Sequence, residues 1–145
     1  MKRWTKRVTV IISLSTVWIL IVVSIFFVSI PENKAMISLG LNPLGIDLTE
    51  IIRNYKEFEC DGVALYSFEP DQKNMKVISS WDVLPFDEET CDYLDTRLLP
   101  KEYPNIENGY GKIIYKKYNQ ENIYGFAVGL YDNKEKKGYL LLYDL

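Results

Sequence analysis

The chain has 145 residues, with 17 basic side chains, 20 acidic ones, two cysteines and no histidine. The missing histidine excludes Ser-His-Asp and Cys-His catalysis, histidine-ligated zinc and the commonest general base. With the four basic residues of the N-terminal tail set aside, 13 basic residues face 20 acidic ones, about −7, a balance that argues against nucleic acid or an anionic membrane surface as partner.

Lys2, Arg3, Lys6 and Arg7 form a short basic tail, residues 1–7, with Trp4 placed as an interfacial anchor. Val8 to Ile30 follows, 23 residues without charge, proline or glycine. About 20 apolar helical residues cross a bilayer core, so this run reads as a transmembrane signal anchor with some tilt. A cleaved signal peptide has a shorter apolar core and a small-x-small cleavage site. Neither Phe27-Val28-Ser29 nor Asn33-Lys34-Ala35 supplies that site. The positive-inside rule then places the tail in the cytoplasm and the C-terminal part outside. Thr9, Ser13, Thr16 and Ser24 fall near one helical face. Such a face permits close contact with a partner helix, although hydroxyls are also common in spans that bond only to themselves.

Residues 31–46 contain Pro31, Gly40, Pro43 and Gly45 and read as a linker, with Ala35 to Leu39 as a short element packed on the domain. Residues 47–145 are one domain's worth of chain. Asp47-Leu48-Thr49-Glu50 has the spacing of a capping box, and Leu48, Ile51, Ile52, Tyr55 and Phe58 follow at helical intervals, which predicts a helix of about three turns. Val63 to Glu69 reads as a strand, and Met75 to Trp81 as its return across a hairpin loop. A second helix is expected after Asp87, with Cys91, Leu94 and Leu98 on one face and Pro100 as its end. Lys101 to Gly111 reads as a loop, followed by strands over Lys112–Tyr118, Ile123–Tyr131 and Tyr139–Tyr143. The expected fold class is α+β, in the order helix, two strands, helix, three strands, with an antiparallel sheet and its helices on one face. The order looks like that of PAS, GAF, Cache and profilin-like domains, a likeness of element order alone.

Cys60 and Cys91 admit one pairing. An exported pair reads as a disulfide, closing 32 residues, a constraint the chain-entropy account values at about 3.5–4 kcal/mol; two separate thiols are the alternative. None of the nine asparagines lies in a glycosylation sequon. With the basic tail and the excess of lysine over arginine, the chain reads as a bacterial inner-membrane protein facing the periplasm.

No catalytic residue, metal ligand or cofactor site is assigned. Asp82, Asp87, Glu88, Glu89, Asp92 and Asp95 are the densest acidic cluster, but they lack calcium-loop spacing and read as a solvated helix face. All eleven tyrosines lie in the exported part. Tyrosine favours both interfaces and half-exposed sheet faces. Gly125, Ala127 and Gly129 leave one face of the middle strand bare, where a helix can pack closely or a ligand can sit. Tyr139, Leu141 and Tyr143, with Tyr131, complete the candidate partner or ligand surface. The last strand is apolar on both sides, so it is either central or covered; at an edge it would accept a partner strand.

The plan of a basic tail, one span and a small periplasmic domain is similar to that of the periplasmic co-regulators of membrane-bound transcription activators, the ToxS, TcpH and PsaF/MyfF type. That resemblance implies a protein that binds and stabilises or regulates another inner-membrane protein with a periplasmic domain. The alternative expectation is a PAS- or Cache-like ligand sensor acting through a partner, since seven cytoplasmic residues cannot transmit an output alone.

Overall fold

The computed structural model describes residues 2–55, 62–95, 101–117 and 123–143. The chain divides into two compact units, Met1–Lys34 and Ala35–Leu145. In the first, α1 (Lys2–Ser29) is a 28-residue helix. Its Ser24 and Ser29 hydroxyls donate to the carbonyls of Leu20 and Ile25 at 2.8 and 2.7 Å, so these polar groups are satisfied by their own helix. Among the described residues no single helix is long and apolar enough to cross a membrane; Ser15–Ser29 reaches that length only together with Pro31–Ser38.

The second unit is α+β, built on one six-stranded sheet whose paired neighbours are all antiparallel. Its strands are β1 (Thr49–Tyr55), β2 (Gly62–Phe68), β3 (Asp82–Val83), β4 (Gly109–Lys117), β5 (Ile123–Asp132) and β6 (Lys137–Tyr143), in the spatial order β1-β2-β6-β5-β4-β3. Three helices accompany them: α2 (Pro31–Ser38), which begins in the first unit, α3 (Gln72–Ile78) and α4 (Glu88–Asp95). The last three strands and β2 lie where the alternation of the sequence places them. β6 is central, between β2 and β5, so its leucines Leu140, Leu141 and Leu142 are all buried and the edge reading of this strand is overturned.

Both faces of the sheet are covered, which corrects the expectation of helices on one side. On the first face, Ala64, Tyr66, Phe68, Ala127, Leu140 and Leu142 pack with Met36 and Leu39 of α2 and its end and with Ile78 of α3. On the second face, Leu65, Phe126, Val128, Leu130 and Leu141 pack with Leu84, Leu94 of α4 and Ile106. Phe126 and Tyr143, directly opposed across β5 and β6, stack at 4.9 Å on this side.

Residues 35–46 are part of this architecture rather than a bare spacer. Met36 and Leu39 are fully buried. Gly40 stops α2 at φ 87, and the Leu41 and Gly40 amides donate to the Met36 and Ile37 carbonyls at 2.8 and 2.9 Å, the two bonds of a Schellman ending. The 3-10 turn Pro43–Gly45 comes next. It is tied to α3 by Asn74, which is buried, accepts from the Asn42 amide at 2.7 Å and donates to the Asn42 carbonyl at 3.2 Å.

Two elements differ from expectation, and with them the element order. The helix predicted from Asp47 is strand β1. A bulge between Glu50 and Ile52 shifts the alternation by one residue, sending Ile52 to the second face opposite Leu65, while Arg53 faces the first with Ala64 and Tyr66. That shift gives the apolar residues a spacing that imitates a helix. It also puts Glu50 and Arg53, three apart, on one face, where the Arg53 Nε lies 2.9 Å from a Glu50 carboxylate oxygen and its guanidinium donates to the Tyr66 hydroxyl. Phe58 and Cys60 lie outside the described residues. The return strand predicted over Met75–Trp81 is helix α3 and the turn after it, with Asp71 as N-cap accepting from the Asn74 amide at 2.8 Å. No hairpin can form there because β1 and β6 occupy both sides of β2.

The bare face of β5 is filled by protein. Gly125, Ala127 and Gly129 are buried, and the Trp81 ring lies against Gly129, where an added Cβ would come within 2.7 Å of it and 3.0 Å of Leu39. The Trp81 indole N–H donates to the Leu39 carbonyl at 3.3 Å, a bond that fixes the ring over the glycine. Gly129→Val is expected to destabilise the fold by about 1–3 kcal/mol through overpacking against this ring. Urea unfolding followed by tryptophan fluorescence measures it, and an unchanged midpoint would refute this packing.

Candidate functional site

The hollow in the second unit lies on the sheet's second face, in a cleft of about 310 Å³. Leu130 of β5 forms part of its floor, and Leu84, Pro85 and Phe86 close one side. Cys91 and Leu94 contribute from α4, and Tyr103, Pro104, Asn105 and Ile106 from the loop before β4. Each wall has a local cause. Leu84 and Phe86 settle against Gly111, where a side chain on the strand would collide with both, and the Leu84 amide donates to the Gly109 carbonyl at 3.1 Å. Ile106 sits over Gly109 in the same way.

The start of α4 is set by Asp87, as the sequence predicts. Its carboxylate accepts from the Thr90 amide at 2.8 Å and the Cys91 amide bonds the Asp87 carbonyl at 2.9 Å, which closes the first turn. Bonds from the Thr90 side chain and then the Thr90 amide hold the Asp87 carboxyl below its ordinary 3.8. With this start fixed, Cys91 and Leu94 share the cleft side of the helix.

The polar groups of the cleft are few. The Cys91 thiol is 3.5 Å from the Phe86 carbonyl, to which it donates. Tyr103 is pushed well above the ordinary phenol range, first by burial and then by the proximity of Cys91, so its hydroxyl stays protonated and remains a donor. Among the described residues nothing hydrogen-bonds to that hydroxyl. Asn105 stands exposed at the cleft. Among the described residues no charged side chain lines it.

The candidate surface read from the sequence is not one surface. Ala127 and Tyr131 belong to the first-face core, whereas Leu141 is in the second-face core with Tyr139 and Tyr143 packed against it. Tyr66 and Tyr131 are buried, so many of the tyrosines build the interior rather than a partner patch. Ser13, Thr16 and Ser24 of α1 are exposed, and the Ser24 hydroxyl is turned to its own backbone; the Thr9 side chain lies outside the described ones. The Cys60–Cys91 pairing involves a residue outside the described set; Cys91 itself is a partly buried thiol. Glu88 and Glu89 are exposed on the first turn of α4, and no group of three metal-ligating side chains occurs among the described residues. Tyr103 and Ile106 fall in the Lys101–Gly111 segment, which reads from the sequence as a loop. Their apolar character at a three-residue interval inside a polar segment is the signal that points to an inward-facing stretch.

No known protein family, curated protein or solved structure matches this chain.

Asp87→Ala is expected to lower stability at pH 7 and to matter progressively less as acid is added. A carboxyl whose pKa is depressed by folding stabilises the folded state above its unfolded pKa of 3.8 and loses that contribution as pH falls through the folded value. Urea unfolding of both proteins at pH 7 and pH 3 checks this: the midpoints should differ at pH 7 and the difference should be smaller at pH 3.

Proposed function

We propose that this chain is a membrane-anchored protein whose exported domain binds, and stabilises or regulates, another protein of the same membrane. The observation that carries the reading is the surface of α1. Trp18, Leu20, Phe26 and their apolar neighbours from Val17 to Val28 other than half-buried Phe27 are exposed, with Trp18 at 67%, Leu20 at 61% and Phe26 at 71%. A helix that is apolar all round needs hydrocarbon or protein about it, not water. Val8 to Ile30 supplies the length of a bilayer core without a charge, and the basic tail before it favours a cytoplasmic N-terminus and a periplasmic domain.

On this reading the exported domain acts through a partner in the same membrane. This is the plan of the co-regulators that protect a membrane-bound activator. Docking by strand addition is disfavoured. β1 carries a bulge and the Glu50–Arg53 pair, and at the other edge Lys112 of β4 follows the two residues paired with β3. Bulges and edge charges are devices that keep sheets from pairing. A second reading, ligand sensing through the same partner, is favoured by the cleft between α4 and the loop before β4.

Val22→Lys together with Phe26→Lys introduces two charges, each costing about 2.5–3.5 kcal/mol at the centre of a span. The full-length double variant is expected to leave the carbonate-resistant membrane pellet, and its retention there would sink the anchor. For the partner, in-membrane crosslinking of the tagged full chain is expected to yield one stoichiometric membrane protein whose level falls when the chain is deleted. Self-crosslinks alone would overturn the interaction reading.

A further inference from the structure

We propose that the cleft bounded by Leu84, Phe86, Leu94, Tyr103 and Ile106 binds an uncharged, largely apolar molecule of one or two rings that carries a hydrogen-bond acceptor. The proposal rests on the ligand-sensing reading and gives it a chemical class. Three observations set that class.

The first is size. A cavity of about 150 Å³ lined by aliphatic and aromatic side chains accepts a benzene-sized molecule. This cleft, at about 310 Å³, is roughly twice as large and lies at the small end of ligand pockets. The second is the charge of the wall. Among the described residues no charged side chain lines the cleft. An ionised ligand would lose its water there without an opposite charge to replace it.

The third is the Tyr103 hydroxyl. Burial and the neighbouring Cys91 hold it protonated, so it has a proton to give, and among the described residues no acceptor takes it. The Cys91 thiol is already directed at the Phe86 carbonyl. Tyr103 is half-buried in the cleft wall, and a ligand carbonyl or ether oxygen placed against it gives its hydroxyl an acceptor. The apolar walls then supply affinity, and the one phenol supplies orientation. The cleft abuts α4, whose first turn Asp87 fixes, so an occupant touches Leu94 and Cys91 on that helix directly.

The test uses the full chain in lipid nanodiscs with labelled leucine and isoleucine methyl groups. The probes are 2-acetonaphthone, naphthalene and 2-naphthoate. The ketone is expected to shift the methyl resonances of Leu94, Ile106 and Leu130 in a saturable way while those of Leu39 and Leu140, on the other face, stay still. Naphthalene should bind more weakly and 2-naphthoate not at all. Tyr103→Phe keeps the ring and removes the hydroxyl. It should weaken the ketone about fivefold, the worth of one hydrogen bond, and leave naphthalene unchanged. A merely structural role for Tyr103 would move both probes alike. Binding of 2-naphthoate as tight as that of the ketone, or equal weakening of both neutral probes in Tyr103→Phe, overturns the ligand class and leaves the sensing reading standing. No shift at Leu94, Ile106 and Leu130 with any probe overturns both.

Discussion

Three consecutive leucines at the centre of a sheet impose the constraint from which the sheet domain follows. Leu140, Leu141 and Leu142 alternate between the two faces of β6 and are all buried, so both faces need a covering layer. Neighbouring strands repeat the demand. Leu65 and Val128 point to one side, and Tyr66 and Ala127 to the other. Side chains of this size are worth about 1.5–3 kcal/mol each when fully removed from water, so a sheet left open on one side would forfeit a large part of its stability.

The two layers meet that demand differently. The first is packed tight. Trp81 fits the space over Gly129, its indole N–H held by the Leu39 carbonyl, and Asn74 ties the turn after α2 to α3 through both backbone groups of Asn42. The second consists of a two-turn helix and an irregular loop, which cover Leu130 without filling the space above it. Close packing is the norm in protein interiors. The open volume lies beside half-buried Tyr103, whose hydroxyl has no partner among the described residues, whereas the bare strand face read from the sequence is closed by a tryptophan.

The apolar surface of α1 is of the kind that belongs in hydrocarbon. In the second unit Tyr66 and Tyr131 are buried in the core, while β1 at one edge of the sheet carries a bulge and the Glu50–Arg53 pair. Such an edge resists extension by another strand.

The sequence by itself determined whatever depends on local pattern. The uncharged run from Val8, the Asp87 cap, strands β2, β4, β5 and β6 and the α+β class were legible because each is written in consecutive residues as periodicity or capping chemistry. Whether β6 was central or at an edge was left open by its two-sided apolar pattern. Three things were decided only by tertiary structure. β1 was hidden because one bulge turned strand alternation into an apparent helical spacing. α3 was mistaken for a returning strand because nothing local reveals that both sides of β2 are taken. The cleft was invisible because its walls, from Leu84 to Leu130, are brought together by glycines at 109 and 111 that let Ile106, Leu84 and Phe86 approach the sheet. Which faces are filled, and which volume stays open, depends on side chains distant in the chain, and no local pattern records it.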